Sequence, residues 1–215
     1  MPRKSAKARR EELAASDPVM AELVDRLGPL DYATRLRRRK EERPADAFGA
    51  LLRPLVGQQI STKAARAIYL RLTARFQGRT PTPQEVLADD PEELRAAAGL
   101  SRAKTSYLRS LAEHVIDGEL ELERLDELPD DEVIAELIAV KGLGVWTAQM
   151  FLMFHLGRPD VLPTGDLGIR RAIERWWGLS ELPVAGDVER IADPWRPRRT
   201  LACRCLWRSL DNEPD

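Results

Sequence analysis

Along most of the chain apolar residues recur at three- and four-residue intervals, and no stretch alternates strictly enough to form a strand. The pattern predicts a succession of helices. One opens at Pro44 and Asp46 and runs to Val56, where Gly57 can end it. After Gln58-Gln59-Ile60, Ser61 or Thr62 can cap a second helix, with Ala64, Ala65, Ile68, Tyr69 and Leu72 on one side. Pro81 and Pro83 mark a loop. Helices over 91–98 and 102–115 follow, joined by a turn at Gly99-Leu100-Ser101, and the acidic stretch 117–131 reads as a connection. Two further helices, 132–140 and 145–156, flank Lys141-Gly142-Leu143-Gly144. The second is apolar nearly all round and is expected to run through the interior. Gly157, Pro159 and Pro163 make a loop, Asp166 can cap a helix through Trp177, and Pro197 opens a last helix to Leu210.

Composition adds little to this all-α picture. At 215 residues, 43% hydrophobic and 32% charged, the chain is long enough to bury a core. No apolar run reaches the roughly 18 residues of a membrane span. The opening MPRKSAKARREEL is basic without an apolar segment behind it, so it is expected to be a basic tail and not a secretory signal. Cys203 and Cys205 point to different sides of a helix, which disfavours a disulfide between them. With only His114 and His155 beside them they make no four-ligand metal site. A reducing cytoplasm is the expected location, at the nucleoid if the source is bacterial.

The net charge of −1 hides an uneven distribution. Arg3, Lys4, Lys7, Arg9 and Arg10 precede the cluster Arg35, Arg37, Arg38, Arg39 and Lys40, whereas acidic residues gather between 85 and 136. Such a chain can meet nucleic acid on one side, although solvated faces with no partner explain the charges equally well.

Two features carry chemistry. In Lys141-Gly142-Leu143-Gly144 the glycines allow a tight turn and close approach by a ligand, and the helix that follows offers N–H groups and a positive dipole end to a phosphate. A plain helix–helix connection would use the same residues. Asp166 is a favoured helix cap, and a cap can also present its carboxylate to a cleft.

With their flanks these segments resemble the helix-hairpin-helix DNA glycosylase superfamily, on the side of the DNA-3-methyladenine glycosylase II branch. Val140-Lys141-Gly142-Leu143-Gly144 stands for its hairpin and Leu162-Pro163-Thr164-Gly165-Asp166 for its aspartate loop. The likeness extends upstream to Leu55-Val56-Gly57-Gln58-Gln59-Ile60-Ser61 and downstream to Trp195-Arg196-Pro197-Arg198-Arg199. Lys141 stands where many relatives have proline, and the additional β-rich N-terminal domain of some relatives is not expected here. The resemblance implies two helical lobes flanking a DNA-binding cleft. Residues 1–49 would pack with a C-terminal lobe of residues 157–215, and 50–156 would form the lobe holding the hairpin. Asp166 and Trp146 would meet at the cleft.

The same resemblance makes Asp166 the catalytic carboxylate, which suits the oxocarbenium-like charge that builds on a sugar as an N-glycosidic bond breaks. Trp146 occupies the position where strand-cutting relatives carry a nucleophilic lysine, so the expected enzyme is monofunctional and uses water. Trp146, Met150 and Trp207 are expected to line the base pocket, where an electron-poor alkylated base gains cation–π attraction. Gln59, or its neighbour Gln58, is expected to fill the gap left by the flipped base. DNA contacts are also expected at Lys141, Gly142, Gly144 and Thr147. A Na+ or K+ ion is implied at the carbonyls of Ile138, Val140 and Leu143, and no other cofactor.

Alkylated double-stranded DNA is the expected partner and a monomer the expected state. His155 reads as a structural histidine, and Arg170, Arg171, Arg198, Arg199 and Lys104 as ordinary helix charges. A catalytically silent DNA-binding module and a glycosylase for another lesion remain open alternatives.

Overall fold

The computed structural model describes residues 5–28 and 46–210, and every regular element among them is helical. The basic cluster 35–40 lies outside the described residues. Two compact units emerge, one from residues 1–36 and 157–215, the other from 37–156.

The first unit contains α1 (Ala6–Ala14), α2 (Pro18–Leu27), α10 (Leu167–Trp176), α11 (Ala185–Ala192) and α12 (Arg199–Ser209). α12 lies against α1, α2 and α10, and buries Ala202, Cys203, Cys205 and Leu206 among Leu13, Met20, Leu23, Ile169 and Ile173. Residues 6–14 are therefore a helix and not the expected tail. Ser5 caps it through the Ala8 N–H, its Leu13 is 1% exposed, and Arg10 donates to the Val24 carbonyl at 2.8 Å. One buried leucine and a cap outweigh a charged sequence with almost no apolar periodicity. Likewise α12 starts at Arg199 and not at Pro197, because the Asp160 carboxylate accepts the Arg199 N–H at 3.2 Å.

The second unit contains α3 (Ala47–Gly57), α4 (Thr62–Arg75), α5 (Pro83–Ala88), α6 (Pro91–Ala98), α7 (Arg102–Ile116), α8 (Asp130–Ala139) and α9 (Val145–Phe154), with a 3-10 turn at Leu122–Arg124. α3 runs through its middle against α4, α7 and α9, burying Leu51, Leu52, Leu55 and Val56. Asp46 caps α3 through the Gly49 N–H, so residues 46–49 belong to this unit and not to the N-terminal piece. Ser61 caps α4, which buries Tyr69 and Leu72 but leaves Ala64 exposed.

Basic side chains satisfy the C-termini of three helices of this unit, where carbonyls lack intrahelical donors and the dipole end favours a cation. Arg71 donates to the Ala98 carbonyl of α6, Arg109 to those of Val86, Leu87 and Asp89 around the end of α5, and Lys104 to that of Val56 in α3.

Candidate active site and DNA interface

In the second unit the hairpin joins α8 to α9. The chain leaves α8 at Val140 and turns through Gly142, with the Leu143 N–H donating to the Val140 carbonyl at 3.0 Å. Gly142 has φ +95°, and a Cβ there would come within 2.2 Å of the Tyr107 ring on α7. This glycine is therefore required twice, for the turn and for seating the hairpin on an aromatic ring. Gly144 differs. It is exposed, has an ordinary extended conformation, and a Cβ on it would meet nothing within 4 Å. It caps α9 without a side-chain hydrogen bond. The sequence pointed to the glycines but not to Tyr107, whose spacing of 35 residues from Gly142 leaves no local signal.

α9 is not buried all round. Ala148, Met150, Phe151, Leu152 and Met153 are core residues, but Val145 and Trp146 in its first turn are 49% and 43% exposed. Trp146 is thus not an ordinary core tryptophan. Met150, one turn on, is 8% exposed and belongs with the core side chains. Thr147, also expected to meet DNA, is 2% exposed, with Oγ1 turned inward to lie 3.5 Å from Gln58 Nε2.

The loop after α3 separates the two glutamines. Gln58 turns inward and donates from Nε2 to the Gly142 carbonyl at 2.8 Å, tying the loop to the hairpin. Gln59 is exposed at φ +58°, a left-handed conformation that a non-glycine residue adopts only when its surroundings impose it. Ile60 beside it is 38% exposed. Lys141 is exposed on the hairpin.

In the first unit Asp166 opens α10. Its Oδ1 accepts the Ile169 N–H at 2.8 Å as a helix cap and, at the same distance, the indole N–H of Trp207 from α12. Gly168 makes room for this pairing. A Cβ there would lie 3.0 Å from Trp207 Cδ1 and 3.1 Å from Asp166 Oδ1. Trp207 therefore turns the donor edge of its ring to the carboxylate, a contact across 41 residues that no sequence spacing announces. The two N–H donors fix the carboxylate's orientation.

The other singled-out groups have structural roles. His155 stacks on Phe151 with ring centroids 4.8 Å apart, and burial pushes its imidazole below the ordinary value, against an opposing pull from Asp46. Arg199 forms a forked pair with Asp160, Arg198 pairs with Glu12, and Arg170 donates to the Pro183 carbonyl at 2.7 Å. Cys203 and Cys205 are buried free thiols. Desolvation raises both, Cys205 to about 11, so neither is a ready nucleophile. Among the described residues no group of three His, Cys, Asp or Glu side chains could hold a metal ion, and no helix is long and apolar enough to cross a membrane.

Comparison with known proteins adds independent support. DNA-3-methyladenine glycosylase 1 of Schizosaccharomyces pombe is 36% identical over 166 residues, which cover 76% of this chain and 72% of that protein. The structure of a 3-methyladenine DNA glycosylase from the same yeast, in complex with abasic DNA, superposes with a TM-score of 0.83 at 30% identity. It covers 97% of this chain and 98% of the other. A DNA-3-methyladenine glycosidase from Bacillus halodurans gives 0.77 at 32% identity, over 97% and 91%. The family model for HhH-GPD superfamily base excision DNA repair proteins matches residues 52–197, which include the hairpin, Trp146 and Asp166. The chain belongs to the HhH-GPD superfamily of base excision DNA repair proteins.

Proposed function

We propose that this protein hydrolyses the N-glycosidic bond of alkylated bases of the 3-methyladenine type in duplex DNA and leaves an abasic site. The observation that carries this reading is the Asp166 carboxylate, held by the Ile169 and Trp207 N–H groups at the start of α10, in a chain of this family. As the bond from C1′ to the base nitrogen breaks, its electron pair leaves with the base and positive charge grows on the sugar. A fixed anion stabilises that charge and can take a proton from the water that adds to C1′. An alkylated base is already electron-poor, so it leaves without a strong general acid.

Trp146 is assigned to the base. Its exposed indole suits stacking and a cation–π attraction worth about 0.5–2 kcal/mol. No amine stands at this position to form a Schiff base, which supports a glycosylase without lyase activity. Trp207 is assigned chiefly to orienting Asp166, and Met150 to backing Trp146. Gly144, Lys141 and the first-turn N–H groups of α9 are assigned to a backbone phosphate, and Gln59 to the gap left by the flipped base.

The monovalent cation implied by the fold would rest on the carbonyls of Ile138, Val140 and Leu143. These neutral oxygens lie at the C-terminal end of α8 and in the hairpin, and suit a weakly held Na+ or K+ better than a divalent ion. When bound, it would supply positive charge for the neighbouring phosphate.

The test is product analysis on duplex DNA treated with a methylating agent. Free alkylated base should appear in solution, with strand breaks only after alkali. Breaks without alkali, or a covalent adduct trapped by borohydride, would contradict the lyase-free reading. DNA binding with no base release would favour a silent module.

A further inference from the structure

The start of the loop that presents Gln59 is held by two hydrogen bonds. Gln58 Nε2 donates to the hairpin carbonyl of Gly142 at 2.8 Å. Lys104 reaches from the first turn of α7 and donates from Nζ to the Val56 carbonyl at 2.9 Å. Val56 lies in the last turn of α3, where carbonyls lack helical donors and the dipole end attracts a cation. It stands two residues before Gln58 and three before Gln59.

We propose that Lys104 is a positioning residue for base excision: by fixing the end of α3 it holds the loop 58–60 in the shape that inserts Gln59 into the DNA. The inference rests on the glycosylase reading above and adds a residue to it. Gln59 sits at φ +58° with an exposed side chain, and such a backbone persists only when neighbouring contacts over-determine it. The two ties, at Val56 and Gln58, are such contacts at the loop's start.

Burial lowers the lysine's proton affinity from its ordinary value, in keeping with an ammonium drawn partly out of bulk water. The caps made by Arg71 and Arg109 are built the same way, but they close the ends of α6 and α5, where no candidate site residue follows. Of these three caps, the Lys104 cap abuts the loop that presents Gln59. If Lys104 acts through Gln59, its removal should matter only while Gln59 is present. A general stabiliser would act regardless of that residue.

A double-mutant cycle separates these cases. Single-turnover base release from methylated duplex DNA is measured for wild type, Lys104→Met, Gln59→Ala and the double variant, with melting curves confirming that each is folded. Lys104→Met is expected to slow release about tenfold, as for a lost charge-assisted hydrogen bond. The double variant should be no slower than Gln59→Ala alone, and Lys104→Arg should recover most of the rate. Independent effects that multiply in the double variant would overturn the proposal, as would Lys104→Met at the wild-type rate. If Lys104→Met does not fold, Lys104→Gln, which keeps a donor without charge, takes its place in the cycle. No release by wild type would mean that the glycosylase reading has failed. The same cycle read as 2-aminopurine fluorescence opposite an abasic-site analogue would then decide whether Lys104 controls insertion by Gln59.

Discussion

Two helices of this molecule start in opposite ways. α9 begins at Gly144, which offers no side chain to its first-turn N–H groups, whereas α10 begins at Asp166, which supplies a carboxylate of its own. Both starts present the positive end of a helix dipole. At α9 that end has no side-chain cap, and the reading proposed above gives it, with the open Gly144, to a backbone phosphate. At α10 the anion is built in and held by Ile169 and Trp207, and the same reading assigns it to the positive charge that grows on the sugar. In the proposed reading, the residue at a single capping position thus separates a phosphate receptor from a carrier of catalytic charge.

The largest effect should come from removing that built-in charge. Asp166→Asn keeps an oxygen that can accept from Ile169 and Trp207, and Asn is as good a cap as Asp. Melting should barely change while base release falls roughly 10²–10⁴-fold. Asp166→Ala removes the cap as well and should cost about 0.5–2 kcal/mol of stability in a denaturant titration. Trp207→Phe keeps a ring but loses the N–H on Asp166 Oδ1. Release should slow roughly 10–100-fold, the size expected for one hydrogen bond to a charged group. A rate equal to wild type would show that Trp207 does not orient the carboxylate.

The hairpin offers a subtler contrast. Gly142→Ala places a methyl into the Tyr107 ring and should destabilise the fold by about 1–3 kcal/mol. Gly144→Ala meets open space and should cost less, about 0.5–1 kcal/mol, because alanine is a poorer N-cap than glycine. Gly144→Asp would convert the start of α9 into one like that of α10, stabilising the helix slightly while weakening DNA binding about tenfold and flattening its salt dependence. Unchanged affinity and salt slope in a fluorescence anisotropy titration would remove the phosphate role from α9.

The smallest expected effect lies at His155. Its imidazole is held below the ordinary value, so the unfolded chain takes up the proton first as pH falls. Its contribution to stability is full above about pH 6.5 and declines as pH drops through the folded-state value. The fall in melting temperature between neutral and mildly acidic buffer should shrink in His155→Phe, which keeps the stack on Phe151.

The helical architecture was legible because caps and periodicity agree. Asp46, Ser61 and Asp166 all cap the helices that their sequence positions suggest, and the 3.6-residue pattern carries α7 and α10. α1 was missed because its periodicity is weak and its one buried leucine gains its worth only from α2 and α12. At the candidate site, residue types were readable but partnerships were not. Tyr107 beneath Gly142, Gln58 on the hairpin, Lys104 on α3 and Trp207 on Asp166 all join residues far apart in the chain. Thr147 is a related case. Its place at the start of α9 suggested DNA, but the turn of the helix points its hydroxyl inward to Gln58.

The central claim is that Asp166 carries the charge that drives base release. It is tested most directly by single-turnover release from methylated duplex DNA by wild type and Asp166→Asn, with binding to an abasic duplex measured alongside. The account predicts release by wild type alone and near-equal binding by both proteins. Release by Asp166→Asn at close to the wild-type rate, with binding intact, would contradict it.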